Sequence, residues 1–378
     1  MIEVTRVEGR NQIDEFIKLP GRILAADPNW IEPLWLERRR FLSPRTNPFF
    51  EHADVALWLA RRDVRAVGRI SAQIDHLMSD VDGLKVGFFG MLTAEDDPDI
   101  LPALFRTAEA WLVERGVGIV RGPFEFNINQ VSGLLVEGFD TPPSLMMTHD
   151  PPWLGPGVER LGYAKAKDLF AYHLNTRKGL TERLQKMAER ASPEVTLRSL
   201  DMRRYREEVT LITDIHNDAW SDNWGFIPLT EAETDAMADE MKAILYPDLV
   251  KIAELHGEPV AFIALLPNIN EAIRDLGGRL LPFGWLKLLW RLKVGGIRSA
   301  RIPLMGVRRA YSNTLLGKSL PLKLIYALQP RGLARGFEEI ELSWLLEDNM
   351  PARRMVELMG SKRAKTYRIY EKRLETAD

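Results

Sequence analysis

The sequence predicts an α/β chain built from two tandem copies of one domain, each a mixed, mostly antiparallel β-sheet flanked by helices. Three observations lead to this prediction. Each half contains a hairpin of two apolar strands, helices and strands alternate after the hairpin, and a stretch near the end of one half aligns with the other without gaps. The predicted domains are residues 1–175 and 176–378.

In the first half, two apolar runs at 53–60 and 64–74 surround the polar turn 61–63 and predict an antiparallel hairpin. Apolar residues at helical spacing predict a helix at 100–115, which Gly116 would end. The other predicted features of this half are a strand at 86–92, an acidic loop at 95–99, and strands at 119–126 and 169–174.

The second half shows the same order of elements. Its predicted hairpin, 249–255 and 259–266, turns at His256 and Gly257. The remaining predicted elements are helices at 181–191, 205–220, 320–335 and 351–359, and strands at 300–306, 339–346 and 365–372.

An internal repeat links the two halves at a constant offset of 198 residues. Within 14 aligned positions, the five identical residues are Glu159, Gly162, Ala166, Lys167 and Tyr172, which recur as Glu357, Gly360, Ala364, Lys365 and Tyr370. Self-similarity at a fixed offset predicts a duplicated domain.

The composition excludes several classes of function. Lys and Arg total 51 against 53 for Asp and Glu, so no overall positive field exists to hold a nucleic acid. Because the chain has no cysteine, it has no disulfide, thiolate metal site or cysteine nucleophile. No His-x-x-x-His pattern is present, and no metal is expected. Without a signal-peptide pattern or a long apolar run, we expect a cytoplasmic protein with no membrane span.

The end of the second copy resembles a known family. Asn349, Ala352 and Gly360, followed by a final strand, have the spacing found in the last third of GNAT-type acyl-CoA N-acyltransferases. The resemblance implies a GNAT-like fold for each copy and an acyl-CoA thioester as co-substrate, with no permanently bound cofactor. It also implies that the strand 300–306 and the loop and helix after it hold the pyrophosphate at a helix N-terminus.

The residues expected to bind the acyl donor are Met305, Gly306, Val307, Arg308, Arg309, Gly317, Lys318, Ser319 and Asn349. Gly317, Lys318 and Ser319 would offer backbone donors, an ammonium and a hydroxyl to phosphate, the alternative being a solvated basic turn. The sequence departs from the family pattern because this loop keeps one glycine and because Val356 stands where a tyrosine acid is usual. Since the acidic loop 95–99 of the first copy would repel a pyrophosphate, we expect only the second copy to bind the donor.

Three residues are candidates for catalysis. Glu341, on a strand beside the presumed cofactor strand, could act as a base, or could belong to an exposed acidic face. His216 could take the proton from the amine, or could be a histidine on a helix surface. Tyr311 could protonate the thiolate, or could pack within its loop.

Candidate acceptor-binding residues come from both halves. They are Asn127, Asn129 and His149 in the first half, with Trp220, Asn223, Trp224 and Trp285 in the second. Asn127, Asn129 and His149 could line an acceptor pocket or cap turns and strand ends.

An insertion near 271–298 mixes Trp and Leu with Lys and Arg, most densely at 279–294. Such a segment suits the surface of a bilayer, so contact with the inner face of the membrane is one interpretation. A helix that covers the sheet, or one that covers a long acyl chain, is the alternative.

Together these features predict N-acylation with a long acyl chain. Among atypical GNAT-like proteins, the chain is most similar to the bacterial ceramide synthases, which implies transfer of a fatty acyl group from acyl-CoA to the primary amine of a sphingoid base. Direct attack of the amine is expected, with backbone N–H groups near Met305 and Gly306 holding the oxyanion. Two alternatives stay open: a Fem-like acetyl or aminoacyl transfer to a soluble amine or peptide, and a non-catalytic lipid-binding protein.

Overall fold

The structure is a computed structural model that describes residues 1–190 and 193–375. The elements up to residue 160 are β1 (Ile2–Arg6), α1 (Gly9–Ile23), α2 (Trp35–Phe41), β2 (Ala53–Arg62), β3 (Arg65–Asp75), β4 (Lys85–Ala94), α3 (Ile100–Val113), β5 (Val117–Gly122), β6 (Leu134–Glu137) and α4 (Leu154–Arg160).

The elements that follow are β7 (Ala164–Asn175), α5 (Glu182–Arg190), β8 (Val195–Ser199), α6 (Tyr205–Trp220), α7 (Glu231–Met241), β9 (Val250–Leu255), β10 (Glu258–Pro267), α8 (Ile269–Ile273), α9 (Gly284–Trp290), β11 (Ser299–Val307), α10 (Arg309–Ser312), α11 (Leu315–Ala334), β12 (Glu339–Leu346), α12 (Met350–Leu358) and β13 (Lys362–Arg373).

The chain divides into two compact units. Unit 1 contains residues 1–169, 273–285 and, among the described residues, 365–375. Its strands lie in the order β1-β2-β3-β4-β5-β13, with β6 also paired to β13. Among the described strands of this unit, β4 and β5 are the one parallel pair, and α3 connects them.

Unit 2 contains residues 170–272 and 286–364. Its strands lie in the order β7-β12-β11-β10-β9-β8. β11 and β12 are parallel and are connected by α11, while β8, β9, β10 and β11 pair antiparallel. Each unit is therefore a mixed, mostly antiparallel sheet with a crossover helix between its parallel strands, as the sequence predicts.

The repeat found in the sequence is visible in the fold. β7 and β13 have the same offset of 198 residues at both ends. Tyr172 donates a hydrogen bond to Glu357 at 2.9 Å, and Tyr370 donates one to Glu159 at 3.2 Å. Gly162 and Gly360 adopt nearly the same left-handed φ, 84° and 85°. Each repeated tyrosine thus donates a hydrogen bond to the glutamate of the other copy, because β13 lies beside β5 and β7 lies beside β12, so the closing strands are exchanged between the two repeats.

Most predicted elements are confirmed, including the helix at 205–220 and the strand at 339–346. Three bounds were wrong by four residues or more. The strand predicted at 169–174 begins at Ala164. The predicted strand 119–126 ends at Gly122, and the helix expected from residue 320 begins at Leu315 because Thr314 caps it and accepts the Gly317 N–H. The end of the predicted helix 181–191 lies outside the described residues. The division of the chain at residue 175 stays a prediction.

Candidate active site

In unit 2, β11 and β12 run side by side and then separate. Their register begins with Ser299 opposite Glu339 and ends with Ile302 opposite Leu342. Over the described residues, no ladder pairing joins 303–307 of β11 to 343–346 of β12, while β11 stays paired with β10 as far as Val307. We call the gap between 303–307 of β11 and 343–346 of β12 the strand opening. Because backbone N–H groups alternate in direction along a strand, every second N–H within 304–307 points into this opening.

A β-bulge lies at the strand opening. β10 pairs Ala264 with Leu304 but Leu266 with Arg301, so β11 carries one extra residue between these pairs. A bulge re-aims the side chains that follow it. Ile302 packs in the larger core cluster of unit 2, whereas Leu304 packs with the cluster that contains the apolar face of α6.

α6 brings two predicted residues to β11. The Trp220 indole N–H donates to the Met305 carbonyl at 3.2 Å. The imidazole of His216 lies one turn earlier, with its ring centre 4.8 Å from that of Trp220. A Cβ at Gly306 would lie 3.2 Å from the Ala219 Cβ, so the glycine permits this close approach of helix and strand. The structure therefore brings together one predicted catalytic residue, one predicted acceptor residue and the predicted cofactor strand.

His216 is buried rather than exposed on the helix surface. Its exposed fraction is 3%, and burial lowers the pKa of its imidazole to about 4. Nδ1 has no hydrogen-bond partner among the described residues. His216 is thus a neutral imidazole packed against aromatic rings at neutral pH.

Glu341 is also buried, with an exposed fraction of 2%. The Ser343 hydroxyl donates to its Oε1 at 2.7 Å, and Arg301 Nε lies 3.7 Å from the same oxygen. His173 Nε2 lies 3.3 Å from Oε2. Burial raises the pKa of Glu341, but the contacts with His173, Arg301 and Ser343 outweigh burial and lower it. The carboxylate is therefore ionised and lies two residues before Ser343, where the strand opening begins on β12.

The two arginines of the predicted donor loop are paired with aspartates of α6 and of the turn that follows it. Arg308 lies 2.6 Å from Asp214, and Arg309 lies 3.2 Å from Asp222. The Arg309 N–H and guanidinium also contact Asp218. These contacts hold the loop on α6 and neutralise part of the positive charge expected for phosphate.

Gly317, Lys318 and Ser319 lie in the first turns of α11, not in a loop as expected. A Cβ at Gly317 would come within 2.1 Å of the Tyr311 carbonyl oxygen, which explains the one glycine kept in this segment. Lys318 is exposed, and the Ser319 hydroxyl donates to the Leu316 carbonyl at 2.7 Å. Tyr311 is half-buried and packs against the core of unit 2. Among the predicted donor residues here, Lys318 keeps an exposed cation at a helix N-terminus.

Two residues of the family pattern have structural roles in this chain. Asn349 caps α12, where its Oδ1 accepts the Ala352 N–H at 3.2 Å. Val356, at the position of the usual tyrosine, is buried in the core with 3% exposed.

The first-half candidates form two separate sets of polar contacts in unit 1. Asn127 is fully buried and donates to Asp75 at 2.9 Å, and its own Oδ1 accepts the Asn129 N–H. His149 Nε2 lies 2.9 Å from Asp27, and burial lowers the pKa of its imidazole despite this carboxylate. These contacts match the alternative that the residues organise turns, so their acceptor role stays a prediction.

The remaining aromatic candidates are on loops and on the insertion. Asn223 and Trp224 are half-buried in the turn after α6, where the Asn223 N–H donates to the Trp220 carbonyl. Trp285 is the second residue of α9 and is 44% exposed. None of the described helices is both long enough and apolar enough to cross a bilayer.

Sequence reasoning missed His173 and Arg301, the two cations that contact Glu341. His173 lies in an apolar strand, and Arg301 is 1% exposed inside β11. The sequence offered one signal for these two residues: each is a polar residue within a mainly apolar strand. A charged side chain that is buried needs a partner of opposite charge, so each could have been expected to pair with a carboxylate. Among the described residues, no cluster of acidic or histidine side chains could hold a metal ion.

The fold places the chain in a class of known architecture. Over the whole of both chains, it superposes on a tandem GNAT protein from the clavulanic acid biosynthesis pathway with a TM-score of 0.62 at 12% sequence identity. The predicted fold class, two tandem GNAT-like domains, is therefore confirmed. No protein-family model matches the sequence.

Two curated relatives cover nearly the whole chain. The bacterial ceramide synthase of Caulobacter vibrioides is 50% identical over 99% of this chain and 98% of its own length. Protein YghO of Escherichia coli K12 is 45% identical over 97% of this chain and 94% of its own length. The chain belongs to the bacterial ceramide synthase family, and the predicted enzyme class, an N-acyltransferase, is confirmed with it.

Proposed function

We propose that the protein transfers a long-chain fatty acyl group from acyl-CoA to the primary amine of a sphingoid base and so forms a ceramide-type amide. The observation that carries this proposal is the 50% identity, over nearly the full length of both chains, to a protein named as a ceramide synthase. The geometry of unit 2 supports the same chemistry.

The strand opening is our candidate site for the thioester. Backbone N–H groups within 304–307 are available on its side of β11, and such donors stabilise an oxyanion that forms at a thioester carbonyl. α11 begins shortly after β11, with Lys318 exposed in its first turn. A helix N-terminus with a nearby ammonium attracts a pyrophosphate.

We assign the role of base to Glu341. The carboxylate is ionised and lies next to the strand opening. The ammonium of the acceptor loses one proton to water before it reacts. A second proton passes from nitrogen to Glu341 as the carbon–nitrogen bond forms, and from Glu341 to sulfur as the carbon–sulfur bond breaks. His216, with its pKa near 4, would contribute as a neutral ring that positions Trp220.

The insertion has properties that favour contact with a lipid surface. Leu288 and Leu292 pack against the core of unit 2, whereas other apolar side chains of the same segment stay in solvent. The exposed fractions are 48% for Leu286, 48% for Leu289, 58% for Trp290 and 71% for Val294. Lys287 and Lys293 are interleaved with these residues and are exposed. Apolar and basic side chains on one short segment fit the interface of an anionic bilayer, where a long-chain amine would also be found.

Release of free thiol tests the function directly. Purified protein is given acetyl-, octanoyl- or palmitoyl-CoA, with and without a long-chain sphingoid base, and the products are identified by mass. We expect thiol release and an amide only with a long-chain donor together with the sphingoid amine. Equal use of acetyl-CoA with a soluble amine would contradict the proposal, and so would silence with every donor.

Sedimentation with anionic vesicles tests the membrane contact. We expect Leu289→Glu combined with Trp290→Glu to reduce the bound fraction, because two exposed apolar contacts become charges of the same sign as the lipid. The control is Leu333→Glu, which changes an exposed leucine on α11 and should leave binding unchanged. Equal binding by both variants would exclude this segment as the contact.

A further inference from the structure

We propose that His173 is a positioning residue for the acyl transfer: it holds the Glu341 carboxylate and releases and regains one proton at Nδ1 as that carboxylate changes charge. This proposal rests on the proposed function and assigns a residue that the predicted site lacks. It names a way in which the surroundings of a buried carboxylate can compensate for the change in its charge when it gains and loses a proton.

The imidazole of His173 connects two carboxylates of β12. Nε2 lies 3.3 Å from the Glu341 carboxylate, and Nδ1 lies 2.9 Å from that of Glu339. The two carboxylates differ in exposure, since the side chain of Glu341 is 2% exposed and that of Glu339 is 51% exposed. One ring therefore links an interior carboxylate to one that meets solvent.

The charges around this ring balance in the resting state. Arg301 and a protonated His173 carry two positive charges, and Glu339 and Glu341 carry two negative charges. Burial lowers the pKa of His173, but its hydrogen bonds to Glu339 and Glu341 outweigh burial and raise the pKa to about 9. Protonation of Glu341 during transfer would leave an excess positive charge in a buried place, which is costly.

Loss of the Nδ1 proton removes that excess. As Glu341 takes the proton from the reacting nitrogen, His173 passes its Nδ1 proton to Glu339 and from there to water. When Glu341 gives its proton to the thiolate, His173 takes one back at Nδ1. His173 ends each cycle unchanged, and the only net proton released is the one that the ammonium gave up before the reaction.

A cavity provides the water for this exchange. It has a volume of about 440 Å³ and is lined by His173 and Glu339, together with Lys178, Lys362, Leu358 and Met359. Lys178 and Lys362 are the other titratable groups that line it, and both are exposed. A cavity of this size also admits free imidazole, so a variant that lacks the ring can be supplied with it from solution.

The test measures steady-state acyl transfer by His173→Ala and His173→Gln with palmitoyl-CoA and a sphingoid base. We expect kcat to fall about 10- to 100-fold, as for other residues that orient a reacting group, with the KM for palmitoyl-CoA nearly unchanged. Added imidazole should raise the kcat of His173→Ala up to a plateau. The kcat of the wild type should fall as the pH rises through about 9, where His173 loses its proton, and this fall should be absent in His173→Gln. The control is His76→Ala, which removes an exposed histidine paired with Asp54 at 3.1 Å and should leave kcat unchanged.

Two results would overturn the proposal: a His173→Ala variant with the kcat of the wild type, or a loss that imidazole does not restore and that leaves the pH profile unchanged. If His173→Ala fails to fold, His173→Gln decides by its pH profile. Titration of the His173 ring by NMR is independent of activity. A ring that stays protonated at pH 8 in wild type, and not in Glu339→Gln, shows the pairing of His173 with Glu339 whether or not the wild type forms an amide, whereas titration near pH 6.5 contradicts the proposal.

Discussion

The two units share one topology, but only one of them leaves its parallel strands open. In unit 1, β4 and β5 pair from Lys85 opposite Val117 to Phe88 opposite Arg121. Beyond that point the Phe124 N–H donates to the Phe89 carbonyl at 2.9 Å, so backbone fills the place where unit 2 has the strand opening. Gly90 permits this contact, because a Cβ there would lie 1.6 Å from the Phe124 oxygen.

The segments after the two equivalent strands differ in charge as well. In unit 1, Glu95 pairs with Arg22 and Arg65, and Asp97 pairs with Arg62. In unit 2, α11 begins with an exposed Lys318. The sheet and the crossover helix are thus the same in the two copies. Unit 1 lacks the open space between its parallel strands and the exposed cation that an acyl-CoA donor would need. The comparison favours a structural role for unit 1 and a catalytic role for unit 2.

The largest expected effect is on activity, from a carboxylate of unit 2. Glu341→Gln should lower kcat by about 100-fold or more, because an amide cannot accept the proton from the amine. Glu371→Gln is the matched change in unit 1, where Glu371 pairs with Arg121 at 2.6 Å. Its kcat should stay within a factor of two of the wild type. Equal losses in the two variants would contradict the division of roles between the units.

The next largest effect should be on the stability of the fold, from a substitution at Gly90, where the Phe124 backbone packs against β4 in unit 1. Gly90→Ala places a Cβ against the Phe124 carbonyl, so we expect a loss of about 3 kcal/mol in the free energy of unfolding. Gly332→Ala is the control, since it meets only ordinary contacts at 3.6 and 3.7 Å inside α11 and should be neutral or slightly stabilising. Thermal unfolding measures both, and an unchanged melting temperature for Gly90→Ala would show that backbone does not fill this position.

A pH series distinguishes the histidines of the two units. Because the folded-state pKa of His173 is raised from 6.5 to about 9, its stabilisation is complete below pH 6.5 and is lost as the pH rises through 9. The wild type should lose about 3 kcal/mol of unfolding free energy over this interval, and His173→Gln should lose much less. His149→Gln should follow the wild type, since the pKa of His149 is lowered and its ring is already neutral there. Denaturant unfolding at each pH measures the difference, and parallel curves for wild type and His173→Gln would refute it.

The smallest effect concerns the repeat itself. Tyr172→Phe and Tyr370→Phe each remove one hydrogen bond to a repeat glutamate, at a cost of about 1 kcal/mol. Denaturant unfolding should show similar losses for the two variants, because the bonds are equivalent. A loss confined to one variant would show that the two copies use this tyrosine differently.

Much of the fold could be predicted because local patterns determine it. The helix Tyr205–Trp220 and the strand Glu339–Leu346 match their predicted bounds, and the offset of the repeat equals that between β7 and β13. The start of α11 was misplaced because Thr314 and Pro321 both resemble helix starts, and local sequence does not rank them. The helix α1 was not predicted although it is amphipathic and buries Phe16, Ile17 and Leu19, and α2, with seven residues, is too short to show a helical period.

The site was harder to predict than the fold because it depends on contacts between distant segments. Glu341, His216 and Met305 were chosen from their local patterns, yet the pairing of Glu341 with His173 joins residues far apart in the sequence. The exchange of β7 and β13 between the repeats is likewise a long-range arrangement. Charge gave a partial guide, since the acidic residues of loop 95–99 could be read from the sequence, whereas their ion pairs and the Phe124 contact depend on distant segments.

Hydrogen–deuterium exchange with a non-hydrolysable palmitoyl-CoA analogue tests the difference between the two units most directly. We predict slower exchange of the amides at 303–307 and at the start of α11, with no change in the equivalent part of β4 at 89–94. Protection of 89–94, or the absence of protection at 303–307 under saturating analogue, would contradict the assignment of acyl-donor binding to unit 2.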